Sequence, residues 1–308
     1  MRYLPFMDGK YSVTPGLVSL TKVTGADRFY FQMDHHYHAY LKNKSAARRE
    51  NIHKYYVRAG MDPATEKQAN RFLVKILVEE YPALFEYGAD YPIHYLVNHQ
   101  TGEKIEWKDD WIKTITTGYE DLFDALCDQV QEDIAICEMQ PGRDWVSAIH
   151  LMAPNHWSPA EKIGKPFGEI HGVVPGMEKL NQHYGRVLES ILMKGPFIRF
   201  AWGISTDRQL NHHPEPPPRI DISEWQGRQA DVDADIYIRV ERQLLSAIPE
   251  RSAFLFFIRT YFYAIDELTA TEKKALADAL RSMSPASLAY KGLTGKVEGL
   301  VGRLLAQD

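Results

Sequence analysis

DWVSAIHLMAPNHWSPAEKIGKPFGEIHGVVPG, residues 144–176, is the stretch on which the reading of this chain turns. It opens as an apolar strand-like run, passes through a turn at Ser158-Pro159, and ends in a loop rich in glycine and proline. Three of the twelve histidines (His150, His156, His171) and two tryptophans fall inside it. Upstream, residues 133–139 form a second apolar run. The two runs are separated by Gln140-Pro141-Gly142-Arg143-Asp144, so they read as an antiparallel pair joined by a turn. Downstream, a helix over about 177–193 ends at Gly195-Pro196, and strand-like runs follow at 197–205, 235–243 and 253–264. Two strands, a helical excursion and three more strands predict an α+β fold. Its centre is a five-stranded antiparallel sheet with helices on one face.

The flanks read as helical. A helix is expected over 34–49, and another after Asp62-Pro63, where Asp caps and Pro takes the first helical position. Phe72, Leu73, Ile76, Leu77 and Tyr81 follow at helical spacing, and a third helix is expected over 119–130. Residues 84–118 are mixed, with a hairpin turn at Thr101-Gly102. Thr269-Ala270-Thr271-Glu272 has the form of a capping box, and a last helix covers 296–305. The chain divides into a mostly helical region (1–130), a core (131–265) and C-terminal helices (266–308), expected to pack as one unit.

Composition narrows the function classes. The 308 residues are 44% hydrophobic and 25% charged, with net charge −5 and a pI near 6.2. No basic block stands out, which argues against nucleic acid as a partner, because duplex affinity rests largely on Lys and Arg. The N-terminus lacks the apolar core of a signal peptide, and the longest apolar run, 253–258, is too short for a bilayer. A cytoplasmic protein without a membrane segment is expected. The two cysteines, Cys127 and Cys137, give neither a disulfide framework nor a CxxC pattern. GxSxG, HExxH, P-loop and GxGxxG signatures are absent, so no Rossmann unit for NAD(P)H is expected.

Among the histidines, His171 has the most suggestive setting, between Ile170 and Gly172 and ahead of Val173-Val174. Apolar neighbours with a glycine beside an imidazole suit a flat iron macrocycle. The plain alternative is a loop histidine bonded to backbone. His150 lies in an apolar run and reads as a core histidine; His156 either lines a pocket or seals a loop. His35, His36 and His38, like His183 and His212-His213, read as solvated. Ser158-Pro159-Ala160-Glu161 reads as a capped one-turn helix. Alternation places Arg199 and Ala201 on one side of their strand and Phe200 and Trp202 on the other. Arg239 and Glu241 share a face, with Arg242 opposite. An inward arginine needs a carboxylate, either Glu241 or Asp235 or one brought by a ligand such as a haem propionate.

Several segments carry a longer pattern: VQEDIAICEM (130–139), WSPAEKIGKPFGEIHGVVPG (157–176), IRFAWGIS (198–205), RVERQLLSAIP (239–249) and FFIRTY (256–261). With the opening YLPF and the run FQMDHHYHAYLKNK, they span nearly the whole chain. In these motifs the sequence resembles the haem-binding alpha subunits of haem-dependent oxidative N-demethylases, the dimethylamine monooxygenase type. The resemblance implies a PAS-like fold that binds haem b. The implied activity is oxidation of a small secondary amine with O2 and NADPH-derived electrons, giving the primary amine and formaldehyde. It implies electron delivery from partner subunits carrying FMN and an iron–sulfur cluster. It makes His171 the expected iron ligand, and Lys162, Arg199, Arg239 and Arg242 expected cofactor-binding residues. Trp157 and Trp202 are expected to meet the amine by cation–π contact, and Glu169 to supply the negative charge. His150 and Met152 depart from the family pattern. The competing readings are a non-catalytic PAS-like haem or ligand sensor and, more remotely, a zinc hydrolase.

Overall fold

The computed structural model describes residues 2–14, 16–172, 174–177, 183–228 and 234–306. Over them run ten strands: β1 (Val18–Ser19), β2 (Tyr56–Arg58), β3 (Phe85–Asp90), β4 (Ile93–Asn98), β5 (Glu103–Lys108), β6 (Asp133–Gln140), β7 (Arg143–His150), β8 (Phe197–Ser205), β9 (Tyr237–Ala247) and β10 (Ala253–Ala264). The described helices are α1 (Tyr37–Tyr55), α2 (Pro63–Glu80), α3 (Leu122–Cys127), α4 (Phe167–His171), α5 (Tyr184–Lys194), α6 (Ile222–Trp225), α7 (Ala270–Arg281), α8 (Pro285–Tyr290) and α9 (Val297–Leu305).

Local chemistry accounts for many boundaries. Asp62 accepts the Thr65 N–H at 2.9 Å ahead of Pro63, which starts α2. Both bonds of the Thr269–Glu272 capping box form at the head of α7. Gly142 takes φ +76°, a conformation that glycine adopts without a Cβ penalty, and so turns β6 back onto β7. Ser158 makes no side-chain cap. The segment behind it is a single 3-10 turn, Pro159–Glu161, rather than the capped helix its residues suggest.

Seven strands pair antiparallel in the order β1-β8-β9-β10-β6-β7-β2. The five expected strands stand next to one another in the middle of this sheet. The expected count of five is corrected to seven because β1 and β2, two and three residues long, extend the edges. Strands that short carry no readable alternation. Residues 84–118 hold more than one hairpin: β3, β4 and β5 form a separate three-stranded sheet. Helix α3 is shorter than the 119–130 expected, because Asp121 caps it late by accepting the Asp124 N–H. The helix expected over 177–193 is described only as α5; residues 178–182 lie outside the described part.

Helices cover both faces of the large sheet, which corrects the one-sided arrangement. On one face Leu244, Leu255, Phe257, Ile134 and Ile136 join the buried side chains of α2 and α3, and Ile238, Val240 and Trp202 meet α7 and α9. Each such fully buried aliphatic or aromatic side chain contributes about 1.5–3 kcal/mol. The other face is the concave one. Cross-strand register puts Arg199 beside Gln243, Ala201 beside Glu241 and Gly203 beside Arg239. It also puts Phe256 between Leu245 and Ala135. That face is therefore apolar over β6, β7 and β10 and polar over β8 and β9. Helices α4 and α5 and residues from 151–172 and 174–177 lie over it. Among the described residues no helix is long and apolar enough to cross a membrane.

Candidate functional site

Strand β9 is buried on both faces, so its expected polar face is an interior surface: Arg239, Glu241 and Gln243 point into a cleft. The facing residues of β8 are small at two of three positions (Ala201, Gly203), which leaves space above Glu241 and Arg239. The cleft has three adjoining lobes. An apolar lobe of about 80 Å³ is walled by Cys137, Val146, Ile149, Phe167 and Phe254. A polar lobe of about 170 Å³ lies over Glu241 and Ala201, beneath Tyr11 and Lys291. These two share Trp157, Lys162, His171, Arg199 and Gln243. A third lobe, of about 250 Å³, shares Asn155, Arg239, Tyr290 and Lys291 with the polar lobe and adds His156 and Arg228.

His171 stands where the apolar and polar lobes meet. It is the last residue of α4, where the alternative was a loop histidine bonded to backbone; the backbone bond is present, but it is made within the helix. Its Nδ1 lies 2.9 Å from the Phe167 carbonyl, which only accepts; Nδ1 therefore carries the proton, and Nε2 keeps a free lone pair. Nε2 has no hydrogen-bond partner among the described residues. Burial pushes the imidazole pKa down to about 4, so the ring is neutral at ordinary pH.

Charge in the cleft is one-sided. Lys162, Arg199, Arg239 and Lys291 line the polar lobe against a single carboxylate, Glu241. Glu241 accepts from Gln243 Nε2 at 2.9 Å and Asn155 Nδ2 at 3.3 Å, and forms no ion pair among the described residues. Arg239 is 3% exposed; it gives its terminal N–H groups to the carbonyls of Leu210 (3.0 Å) and Ala153 (2.8 Å) and leaves Nε unpartnered. Arg199 Nε is also buried and unpartnered. Lys162 places its ammonium 3.8 Å from the centre of the Trp157 ring, and burial pushes its pKa down to about 8. Burial likewise lowers the pKa of Arg199, Arg239 and Lys291. This pattern belongs to cations desolvated without full compensation.

Of the expected site residues, His171, Lys162, Arg199, Arg239, Trp157 and Trp202 meet in the cleft. Two do not. Arg242 lies on the opposite sheet face and donates to the carbonyls of Asp27 (2.8 Å) and Phe29 (2.7 Å), which anchors the N-terminal segment. Glu169 is outside the cleft, half exposed, and pairs with Lys165 one turn earlier at 3.1 Å. The cation–π role expected of Trp157 is modified, since one face of its ring already holds Lys162. Trp202 belongs to the opposite face of β8 and borders the polar lobe from there; it is 6% exposed and packs edge-on against Phe6 and Tyr11.

His150 is a core residue: fully buried, with Nε2 3.0 Å from Asp124. His212 and His213 are also buried, which corrects the solvated reading. The proline-rich loop folds inward there, and Trp225 donates to the His213 carbonyl at 2.8 Å. From sequence Glu241 is only a structural partner for Arg239, and Asn155, Gln243, Tyr290 and Lys291 carry no expected site role. The signal for the β9 residues was three polar side chains in alternation within a strand buried on both faces. No group of three His, Cys, Asp or Glu side chains among the described residues is arranged to hold a metal ion, so the zinc reading finds no ligand set.

Comparison with known families gives one match. Residues 20–299 fit the family model described as haem-dependent oxidative N-demethylase, alpha subunit-like, a match that spans most of the chain.

Proposed function

The chain belongs to the haem-dependent oxidative N-demethylase alpha-subunit-like family, and from that premise we propose that it binds haem b in the cleft and demethylates a small N-methylated amine. The balanced conversion is R2N–CH3 + O2 + two electrons + two protons → R2NH + formaldehyde + water. Dimethylamine is the smallest secondary amine of this class. We place the electron source, NADPH through FMN and an iron–sulfur cluster, on partner subunits, in keeping with the "alpha subunit-like" description and the absence of a nucleotide-binding motif in this sequence.

One observation carries the haem assignment. His171 offers a neutral Nε2 at the junction of an apolar and a cationic lobe, with its tautomer fixed by the Phe167 carbonyl. A backbone acceptor on the far ring nitrogen is the arrangement that orients an imidazole ligand. Residues fit the rest of the group as well. Phe254, Phe256 and Ile149 suit a macrocycle, and Arg199 and Lys162 are cations that form no ion pair among the described residues, suited to propionates. When bound, haem supplies the activation of O2 and the oxidation of the methyl carbon. The protein's own tasks are to hold the iron through His171, to neutralise the propionates and to keep water from the apolar lobe. Glu241 draws in the amine as its ammonium form and can hold a proton there.

An absorption spectrum of the purified protein, followed by an assay for formaldehyde with amine, O2 and a reducing partner, tests the reading. A Soret band and stoichiometric formaldehyde are expected. Protein that takes up no haem when reconstituted refutes the cofactor assignment; haem-loaded protein that releases no formaldehyde with any N-methyl amine or electron donor refutes the activity.

A further inference from the structure

The third lobe of the cleft lies beyond the residues proposed for haem. It does not include His171, Lys162 or Arg199 in its wall, and it meets the polar lobe at Asn155, Arg239, Tyr290 and Lys291. Its chemistry is that of a site built for negative charge. Arg228 and Lys291 make no side-chain hydrogen bond or ion pair among the described residues, and burial lowers the pKa of both. Arg239, nearly wholly buried, lines the same lobe with an Nε–H that finds no acceptor among the described residues. A buried donor left without a partner costs about 1–3 kcal/mol in general, so its retention needs a reason. Nearby acids do not supply one: Asp207 is engaged with His212, and Asp133 accepts the backbone N–H groups of Met152 and Ala153.

Charge counting separates this lobe from the cofactor. Among the described residues five cations line the three lobes, opposed by Glu241. Two haem propionates raise the negative groups to three, which leaves the cleft with a surplus of positive charge. A plain dialkylammonium ion would add to that surplus. A molecule carrying both an ammonium and a carboxylate would meet Glu241 with one end and the third lobe with the other.

The wall here is also held in a sparsely populated conformation. His156 has φ +62°, outside the range comfortable for a residue with a Cβ, and two backbone hydrogen bonds to the buried His212 loop fix it there (His156 N to His212 O, 3.0 Å; His212 N to Pro154 O, 2.9 Å). Strain of this kind persists where the surroundings enforce it, often at ligand sites.

We propose that the third lobe is a carboxylate subsite formed by Arg228, Arg239 and Lys291, and that the substrate class is an N-methylated amine bearing a carboxylate, in the manner of an N-methyl amino acid. The carboxylate docks on the three cations and the amine nitrogen turns toward Glu241 in the polar lobe, with the N-methyl group facing the His171 side. The substrate assignment rests on the haem reading above; the anion subsite itself does not.

The test uses the full-length chain, first loaded with haem, with N-methylglycine, dimethylamine and inorganic phosphate as probes. Binding is read from the Soret perturbation. N-methylglycine should bind roughly ten- to hundredfold more tightly than dimethylamine, the worth of one or two charge-assisted contacts. Phosphate should compete with N-methylglycine. Arg228→Gln and Lys291→Gln should each abolish the preference without altering the haem spectrum of the free protein. Equal affinity for the two amines, or N-methylglycine binding unchanged in both variants, overturns the proposal. If no haem is taken up, the function reading fails and the substrate class falls with it. Calorimetry with phosphate on the chain itself then decides the subsite: binding weakened in both variants upholds it, and no binding, or binding the variants leave unchanged, removes it.

Discussion

Replacing Asp124 by Asn tests whether His150 belongs to the scaffold or to the site. Asp124 is fully buried and sits at the centre of a network. It accepts Arg48 through two nitrogens at 2.6 and 2.9 Å, His150 Nε2 at 3.0 Å and the Glu120 N–H at 2.9 Å. Burial alone would raise its pKa, but the hydrogen bonds from His150 and Arg48 outweigh burial and hold it well below the usual carboxylate range. Breaking a buried ion pair by removing one partner costs about 3–5 kcal/mol. Arg48 is 18% exposed and keeps Asp128 at 3.3 Å, so the lower end, about 3 kcal/mol, is expected here. The native pKa lies below the unfolded one, so the contribution is complete above the unfolded value near 3.8 and is lost as pH falls through the native pKa. Urea unfolding of wild type and Asp124→Asn should differ by a constant amount from pH 8 to pH 5 and converge below about pH 4. The haem spectrum of the variant should match wild type. A stability loss under about 1 kcal/mol refutes the network argument; a changed haem spectrum refutes the placement of His150 in the core.

Further outcomes follow from the cleft. His171→Ala should lose or shift the Soret band, and added imidazole should restore it; an unchanged spectrum retires His171 as the ligand. Glu241→Gln removes the only carboxylate that lines the cleft among the described residues and should raise the KM for the amine about tenfold, the worth of one charge-assisted hydrogen bond, while haem content stays constant. An unaltered KM would move the ammonium contact elsewhere. Arg242→Gln leaves carbonyls of Asp27 and Phe29 without their donors and should cost about 2–3 kcal/mol in denaturant unfolding, with the haem spectrum intact. Spectral change in that variant would reopen a cofactor role for Arg242.

The readable parts of this fold were those where period and punctuation agree. Residues 133–152 announce themselves as a pair because two apolar runs flank Pro141-Gly142, and the 253–264 run is too apolar to lie anywhere but the centre of a sheet. Edge strands such as Val18–Ser19 have no such pattern; they are extended because Ile198 and Phe197 are there to pair with. Among candidate site residues, His171 stands out by its apolar neighbours and by the family pattern, and it lines both the apolar and the polar lobe. Glu169 misled because one residue separates it from His171 in sequence, whereas α4 turns it outward to Lys165. Lys291 gave no local signal at all: it follows α8 and reaches the cleft only through packing of the C-terminal helices over β8. The burial of His212 is equally non-local, since it depends on the parallel bridge between Asn155 and His212.

The floor of the cleft is as wide as it is because of what β8 omits. A Cβ built on Gly203 would stand 3.7 Å from Lys291 Cδ and 3.8 Å from its Nζ, an ordinary contact with no clash. Alanine would therefore fit there, and anything larger would press on the ammonium rather than on the backbone. Ala201, two residues earlier on the same face, pairs with Glu241. The capacity of the site is thus adjustable one carbon at a time on a strand whose own hydrogen bonds stay untouched, and the charged residues on β9 need not change. Evolution, or an engineer, could resize the cleft at these two positions and leave both His171 and the charge pattern as they are.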